Sequence, residues 1–85
     1  MRLKYEFSVM DLSDEKIAVP IGSEANLVLK LNEEGKVILD MLQKDTEETE
    51  IVEKISLTYS VDKNQLSEYV HSFISTLRKA NLIVD

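Results

Sequence analysis

The chain has 85 residues, of which 44% are hydrophobic, and it contains no cysteine. This length predicts one small domain spanning residues 1–85 with a modest core, and the absence of cysteine excludes disulfides and thiolate metal sites. The formal net charge of -6 disfavours nucleic acid and anionic membranes as partners. There is no signal peptide and no apolar run of the ~20 residues that cross a bilayer, so we expect a soluble, cytoplasmic protein.

Three segments in the first third of the chain alternate between apolar and polar residues, which predicts half-buried strands. They are residues 2–9, 16–21 and 26–31, separated by polar turns at 11–15 and 22–25. In the third segment the side chains divide between two faces, with Leu27, Leu29 and Leu31 on one and Asn26, Val28 and Lys30 on the other. The pattern predicts a three-stranded antiparallel sheet with one covered face.

Three helices are predicted after the strands. The first begins at Asn32, whose side chain can cap the first turn, and the second begins at Thr46 for the same reason. Asp62 begins the third and longest helix, and Asn81 is expected to end it in a left-handed conformation. The fold class is therefore α+β, an N-terminal three-stranded antiparallel sheet followed by three helices in a winged-helix-like arrangement.

A winged-helix arrangement suggests DNA binding, with the third helix as the recognition helix. Its basic residues are only Lys63 near the start and Arg78 and Lys79 at the end. Phosphate contacts usually dominate affinity for DNA, and this helix offers few of them. DNA binding is therefore the weaker alternative.

The sequence shows no constellation that would support catalysis. His71 is the only histidine, and its position on the polar side of the third helix predicts a solvated surface residue. No spacing of Cys, His or carboxylate residues suggests a metal site or a catalytic triad, and the two glycines do not form a phosphate-binding loop. We therefore expect no catalytic residue, no metal and no cofactor.

Six motifs run through the chain in a fixed order. They are V-P-I-G at 19–22, L-x-L-N-E-x-G at 29–35, I-L-x-x-L at 38–42, T-E-E-T-E-I-V at 46–52, Y-S-V-D at 59–62, and V-x-x-F-I-x-x-L-x-x-A-N-L-I at 70–83. Together they resemble the PqqD-like family over nearly the whole chain. The family often has Trp, Thr, Asp and Gly where this chain has Leu39, Glu34, Tyr69 and Asn81.

The resemblance implies a recognition element for ribosomally made, post-translationally modified peptides. Such a domain binds the leader segment of a precursor peptide and presents the peptide to a modifying enzyme, often a radical SAM protein. In the family the leader adds as a strand to the third β-strand, in the cleft beside the third helix. An edge strand suits this role because its unpaired backbone groups provide affinity and its side-chain pockets provide specificity.

The candidate peptide-binding residues lie on the third strand and the third helix. A plain core role is favoured over direct contact for the three strand leucines, so the strand backbone is the stronger candidate. On the third helix, three residues at i, i+4 and i+7 flank the core positions and are expected to form the far wall of the groove. The candidates are Leu27, Val28, Leu29, Lys30 and Leu31 on the strand and Tyr69, Phe73 and Thr76 on the helix.

The sequence thus predicts a non-catalytic peptide-binding domain. A DNA-binding winged helix and a general protein-interaction module remain the alternatives.

Overall fold

The computed structural model describes residues 1–23 and 27–85. The elements in chain order are β1 (Arg2–Leu3), β2 (Phe7–Leu12), β3 (Glu15–Pro20), β4 (Leu29–Leu31), α1 (Glu33–Met41), α2 (Glu48–Thr58), α3 (Lys63–Lys79) and β5 (Ile83–Val84). Strands β2, β3 and β4 form an antiparallel sheet in that order, and three helices follow, which confirms the predicted α+β arrangement. Residues 24–26, predicted to end the second turn and begin the third strand, lie outside the described residues.

The first predicted strand is in fact two strands with different partners. Residues 2–3 form β1, which pairs with β5, and residues 7–12 form β2, which pairs with β3. The alternation of side chains is the same in both halves, so periodicity alone could not reveal the change of partner. The apolar tail at the end of the sequence supplies β5.

The turn between β2 and β3 is shorter than predicted. Only Ser13 and Asp14 form it, because Leu12 and Glu15 are already a cross-strand pair. The hairpin therefore extends two residues further along β2 than the polar composition of residues 11–15 suggested.

Side-chain caps begin two of the three helices as predicted. The Asn32 Oδ1 atom accepts a hydrogen bond from the Gly35 backbone N–H at 2.8 Å, which satisfies a first-turn donor of α1. The Asp62 carboxylate accepts from the N–H groups of Asn64 at 2.8 Å and Gln65 at 3.2 Å and so caps α3. These caps fix where the chain leaves the sheet and where the last helix starts.

The predicted cap of α2 is wrong. Glu47 occupies the N-cap position without a side-chain capping bond, one residue after Thr46. Thr46 is instead buried, and its N–H donates to the Met1 carbonyl oxygen at 2.9 Å. The tertiary contact with the start of the chain has taken the place of the local cap.

The end of α3 has the expected left-handed residue. Asn81 has φ 61°, and it is the one non-glycine residue with positive φ among those described. The Leu82 N–H donates to the Leu77 carbonyl and the Asn81 N–H to the Arg78 carbonyl, both at 2.9 Å, which is the Schellman pattern. Leu77 and Leu82 are fully buried, so the turn also directs the chain back over the core towards β5.

The core lies between the three helices and the inner face of the sheet. Its largest fully buried side chains are Ile38, Leu42, Ile51, Ile55, Val70, Ile74, Leu77 and Leu82. Ala18 on β3 and Leu31 on β4 join the sheet to this cluster. Leu57 on α2 is 83% exposed and lies outside this core.

Two substitutions on α2 compare the loss of a buried apolar side chain with the loss of an exposed one. Ile55→Ala should lower the free energy of unfolding by about 2–4 kcal/mol, because it leaves a cavity at a fully buried site. Leu57→Ala should change it by less than about 0.5 kcal/mol. Urea denaturation followed by far-ultraviolet circular dichroism measures both. Equal losses for the two variants would contradict this packing of α2.

Candidate functional site

One hydrogen bond fixes which backbone groups of the sheet point towards which neighbour. The Ile21 N–H donates to the Glu6 carbonyl at 2.8 Å, immediately beyond the last pair of the β2–β3 ladder, Phe7 with Pro20. Hydrogen-bonded and non-hydrogen-bonded pairs alternate along an antiparallel ladder. Phe7 and Pro20 therefore form a non-hydrogen-bonded pair, which is consistent with proline having no N–H to donate.

This alternation assigns every residue of β3 to one neighbour. Glu15, Ile17 and Val19 direct their backbone groups towards β2, whereas Lys16 and Ala18 direct theirs towards β4. The two-residue turn supports the same alternation of hydrogen-bonded and non-hydrogen-bonded pairs. The pair that closes a two-residue hairpin, here Leu12 with Glu15, is hydrogen-bonded.

This alternation of backbone directions leaves one described residue of β4 with backbone groups that are not used within the sheet. Leu31 pairs with Lys16 and Leu29 pairs with Ala18, so these two leucines use their N–H and C=O groups within the sheet. Lys30 lies between them, and its N–H and C=O point away from β3. Among residues 1–23 and 27–85, β4 is an edge strand in the order β2-β3-β4, and within these residues the Lys30 backbone is a free donor and acceptor.

The side chains of β4 divide between the two faces of the sheet as predicted. Both leucines lie on the inner face, where Leu31 is buried and Leu29, opposite the buried Ala18, is half-buried. Lys30 is exposed on the outer face, opposite Ile17. A strand added beside Lys30 would therefore present alternate side chains to the core side and to the solvent.

Two neighbouring pockets open on the side of β4 that faces α3. The first, of about 280 Å³, is lined by Asp14, Glu15, Lys16, Lys30, Leu31, Asn32 and Tyr69. The second, of about 210 Å³, is lined by Asn32, Glu34, Val61, Asp62, Gln65, Leu66 and Tyr69. Asn32 and Tyr69 line both pockets, so these two side chains lie between them. The two pockets together are called the cleft below.

Tyr69 connects α3 to the junction between β4 and α1. Its hydroxyl donates to Asn32 Oδ1 at 3.0 Å, the same oxygen that accepts from Gly35 in the helix cap. Burial, followed by the nearby Glu34 carboxylate, raises the pKa of the Tyr69 phenol. The hydroxyl therefore stays protonated and able to donate across the neutral pH range.

Gly35 leaves room for this contact. A Cβ atom at position 35 would lie 3.2 Å from Asn32 Oδ1, 3.2 Å from the Tyr69 hydroxyl and 3.3 Å from Leu31 Cδ2. These separations are shorter than ordinary carbon contacts, so a side chain here would have to displace one of the three groups. The glycine in the L-x-L-N-E-x-G motif thus lets the strand, the cap and α3 meet closely.

The other predicted site residues lie at different distances from this cleft. Leu27 is half-buried and Val28 is 61% exposed, and both precede β4. The predicted start of the third strand at residue 26 is therefore wrong for these two residues, since β4 begins at Leu29. Phe73 is half-buried one turn beyond Tyr69, with the two ring centroids 6.2 Å apart. Thr76 is exposed, and its hydroxyl donates to the Ser72 carbonyl at 3.0 Å. Neither Phe73 nor Thr76 lines the two pockets.

Sequence reasoning did not assign several residues of the cleft. Asn32 and Asp62 were recognised only as helix caps, and the contributions of Lys16, Val61 and Gln65 were not foreseen. The contact between Asn32 and Tyr69 spans 37 residues, and no local pattern signals it. The sequence offers one indirect signal for Asn32. A capping residue that directly follows an edge strand lies close to any site that this strand forms.

Outside the cleft, the only histidine is a surface residue, as predicted. His71 is exposed, and its Nδ1 atom lies 3.2 Å from Glu48 Oε2, while Arg78 lies 3.9 Å from Glu48 Oε1. Exposed ion pairs of this kind contribute little to stability. Within residues 1–23 and 27–85 no group of three or more His, Cys, Asp or Glu side chains is arranged to hold a metal ion. No helix in the same ranges could span a membrane.

The fold and the cleft together define a small α+β domain with a free sheet edge beside a helix. The family model for coenzyme PQQ synthesis protein D (PqqD) matches residues 13–83. The chain therefore belongs to the PqqD family, which confirms the resemblance found in the sequence motifs.

A solved structure shares this fold. It is TbiB1 in complex with the TbiA(beta) leader peptide, and it is 22% identical to this chain, with a TM-score of 0.71 and 100% of both chains covered. No curated protein sequence matches this chain.

The contact between Tyr69 and Asn32 can be measured by a double-mutant cycle. Tyr69→Phe should lower the free energy of unfolding by about 0.5–1.5 kcal/mol, because it removes one hydrogen bond. Asn32→Ala should cost more, because it also removes the cap of α1. In the double variant the Tyr69→Phe loss should largely disappear, since its partner is already absent. Fully additive losses would show that the two side chains do not interact in solution.

Proposed function

We propose that this chain binds the leader segment of a ribosomally made precursor peptide as an added strand on β4 and presents the peptide to a modifying enzyme. The observation that carries the proposal is the free backbone N–H and C=O of Lys30, on an edge strand that borders a cleft against α3. Membership of the PqqD family supports it. The shared fold of TbiB1, a protein solved with a leader peptide, also supports it.

The cleft offers the two components that strand addition needs. Lys30 can exchange two backbone hydrogen bonds with the peptide, and these bonds are independent of the peptide sequence. Extension of the pairing towards the exposed Val28 would add a second point of attachment, because residues two apart face the same edge. Affinity then depends mainly on the backbone, as the strand sequence alone suggested.

Side-chain specificity comes from the core side of the added strand. A peptide residue that points inward meets Tyr69, which borders both pockets, and can enter either the first pocket, beside Leu31, or the second, beside Leu66. The next peptide residue points outward beside Lys30 and remains in solvent. We therefore assign Leu27, Val28, Leu29, Lys30 and Leu31 to the docking strand and Tyr69 and Phe73 to the opposing wall, with Thr76 at its far end.

The positive charges on α3 do not favour duplex DNA as the ligand. Arg78 is already paired with Asp85 at 2.7 Å and lies 3.9 Å from Glu48. Lys63 is paired with Glu53 on α2. These pairs leave few cations for phosphate contacts, and duplex binding needs many.

Two proline substitutions in β4 test strand addition. Lys30→Pro should leave the domain folded, because the lost N–H points away from β3, but it should weaken leader binding at least about tenfold, the factor that corresponds to 1.4 kcal/mol. Leu29→Pro should instead lower the free energy of unfolding by about 1–3 kcal/mol, because it removes a donor used within the sheet. Thermal melts measure the effect on stability, and calorimetric titration with a synthetic precursor leader peptide measures the effect on binding.

The matched control is Lys30→Ala, which keeps the backbone N–H and removes only the exposed side chain. It should bind the leader nearly as well as the wild type. If Lys30→Pro is folded and binds with unchanged affinity, the leader does not add to β4. Leu29→Ala separates the loss of the leucine side chain from the loss of its backbone donor.

The second expectation concerns chemistry. The domain should bind the precursor peptide without altering its mass. The described residues that line the cleft include carboxylates, lysines, capping residues and apolar side chains, but no serine, cysteine or histidine that could form an activated nucleophile and its base. Mass spectrometry of the precursor after incubation with the isolated domain checks this, with the complete enzyme system, including a radical SAM protein where one is encoded, as the positive control. A mass change caused by the domain alone would show that it is an enzyme.

A further inference from the structure

The sheet has a second free edge, on the side opposite the proposed leader site. Because alternate residues of β3 bond towards β2, the residues of β2 that point away from β3 are those between the bonded pairs. These are Phe7, Val9 and Asp11. Within residues 1–23 and 27–85, β2 pairs with no strand other than β3. The edge therefore offers backbone donors and acceptors to another extended segment.

The β2 edge lacks the features that usually protect an exposed strand. Natural edge strands often carry lysine, proline or a bulge, or they are very short. β2 has six residues, F-S-V-M-D-L, and Asp11 is its one charged residue. Val9 is 43% exposed on the inner face of the sheet, and Met10 and Leu12 are exposed on the outer face. A strand added here would gain apolar contacts on both of its faces as well as backbone hydrogen bonds.

A groove of about 470 Å³ lies beneath this edge, between the start of β2 and the end of α1. Its lining includes the apolar side chains of Phe7, Val9 and Leu39 and the carboxylates of Glu6 and Asp40. Two of these residues belong to the edge strand itself. The inward-pointing side chains of an added strand would therefore lie over the groove.

The charges at the groove are negative and weakly compensated. Asp40 is in the last turn of α1, which contains no basic residue, so its charge adds to the negative end of the helix dipole. Lys36 lies 3.7 Å from Asp40, but both side chains are exposed and such a pair contributes little. Lys4 also lines the groove, and its Nζ already donates to Asn81 Oδ1 at 2.8 Å. The groove thus favours a cation on the incoming segment.

A further carboxylate lies at the other end of the edge. Asp11 follows Val9 by two residues, so the two side chains share the inner face of the sheet. Inner-face side chains of an added strand recur about every 7 Å. When one of them lies opposite Val9, its neighbours lie towards Asp11 at one end and towards Glu6 and Asp40 at the other. The complementary face is basic, apolar and basic in turn, and this pattern reads the same in both chain directions.

We propose, building on the leader-binding function, that the β2 edge binds an extended segment of the modifying enzyme in which basic, apolar and basic residues alternate along one face. A domain that presents a peptide must contact the enzyme as well as the leader. Because β3 separates the two edges, β4 stays available to the leader while β2 is occupied. A second copy of this chain is a poorer occupant, since it would bring a second acidic edge against the first.

Two substitutions of Val9 test the charge of the occupant, because they add opposite charges at the same exposed point of the edge. In the complete enzyme system, Val9→Lys should slow modification of the precursor at least about tenfold, since it repels a basic segment. Val9→Glu should support modification at least as fast as the wild type. Both variants should bind a synthetic precursor leader peptide with wild-type affinity, because the leader occupies β4. Equal slowing by the two variants, or no slowing by Val9→Lys, would overturn the proposal.

Two synthetic strands that differ only in charge, T-K-T-V-T-K-T and T-E-T-V-T-E-T, measure binding directly. In a nuclear magnetic resonance titration of the isotope-labelled domain, the lysine peptide should shift the amide signals of Phe7, Val9 and Asp11. At low salt it should bind at least about fivefold more tightly than the glutamate peptide, and this preference should shrink as added salt screens the charges. Asp40→Asn should weaken binding of the lysine peptide about twofold or more. Glu68→Gln, the same change of charge at an exposed position on α3, should not.

The outcomes distinguish the contact at β2 from leader binding at β4. Equal affinity for the two peptides, or shifts confined to β4, would overturn pairing through β2 and leave the leader site unaffected. A wild type that dimerises while both Val9 variants stay monomeric would identify a second copy as the occupant and so contradict the proposal. Lys30→Pro that loses the leader and keeps the lysine peptide would support both assignments. If the leader does not bind at all, the proposed function fails, and the enzyme contact fails with it.

Discussion

The central constraint on this domain is that residues 15–19 of β3 direct their backbone groups alternately to one neighbouring strand and to the other. Alternate residues bond to β2 and to β4, and Pro20, which has no N–H, occupies a position where none is required. A strand bonded on both sides leaves each of its neighbours bonded on one side only. Both outer strands must therefore find a partner, a protective feature or water, and the function of the sheet follows from how each edge meets that need.

The two edges meet it differently. β4 is short, and its free groups border a cleft whose far wall is α3, so it suits an extended peptide that must be recognised. β2 is six residues long and carries one charged residue, Asp11, and an open groove lies beneath it. At the first edge, the Asn32 Oδ1 atom accepts hydrogen bonds both from the Gly35 N–H in the cap of α1 and from the Tyr69 hydroxyl beside the cleft.

Much of the fold could be predicted because its determinants are local. The cap at Asn32, the start at Asp62 and the left-handed residue at Asn81 each depend on neighbours within a few positions, and each was found as expected. The errors arose where distant contacts decided the outcome. Thr46 bonds to the start of the chain, and an unbroken alternation concealed the change of partner between β1 and β2.

For the candidate site, the sequence indicates which strand and which helix face to consider. It does not indicate the direction of the backbone groups or the contacts between these two elements. Periodicity places Leu29 and Leu31 on one face, yet the direction of the Lys30 backbone depends on the register of two pairings that no sequence pattern reveals. The contact of Tyr69 with Asn32 is of the same kind, because it requires α3 to return across the end of β4.

The pairing of β1 with β5 has a consequence for how such a domain can be combined with others. Arg2 lies opposite Val84 and Leu3 opposite Ile83, so the two ends of the chain leave the domain side by side. A unit whose ends are adjacent can be inserted into a surface loop of a larger protein without separating the strands on either side of the insertion point. Evolution could thus join this fold to an enzyme through one loop, at a place where neither sheet edge would need to change.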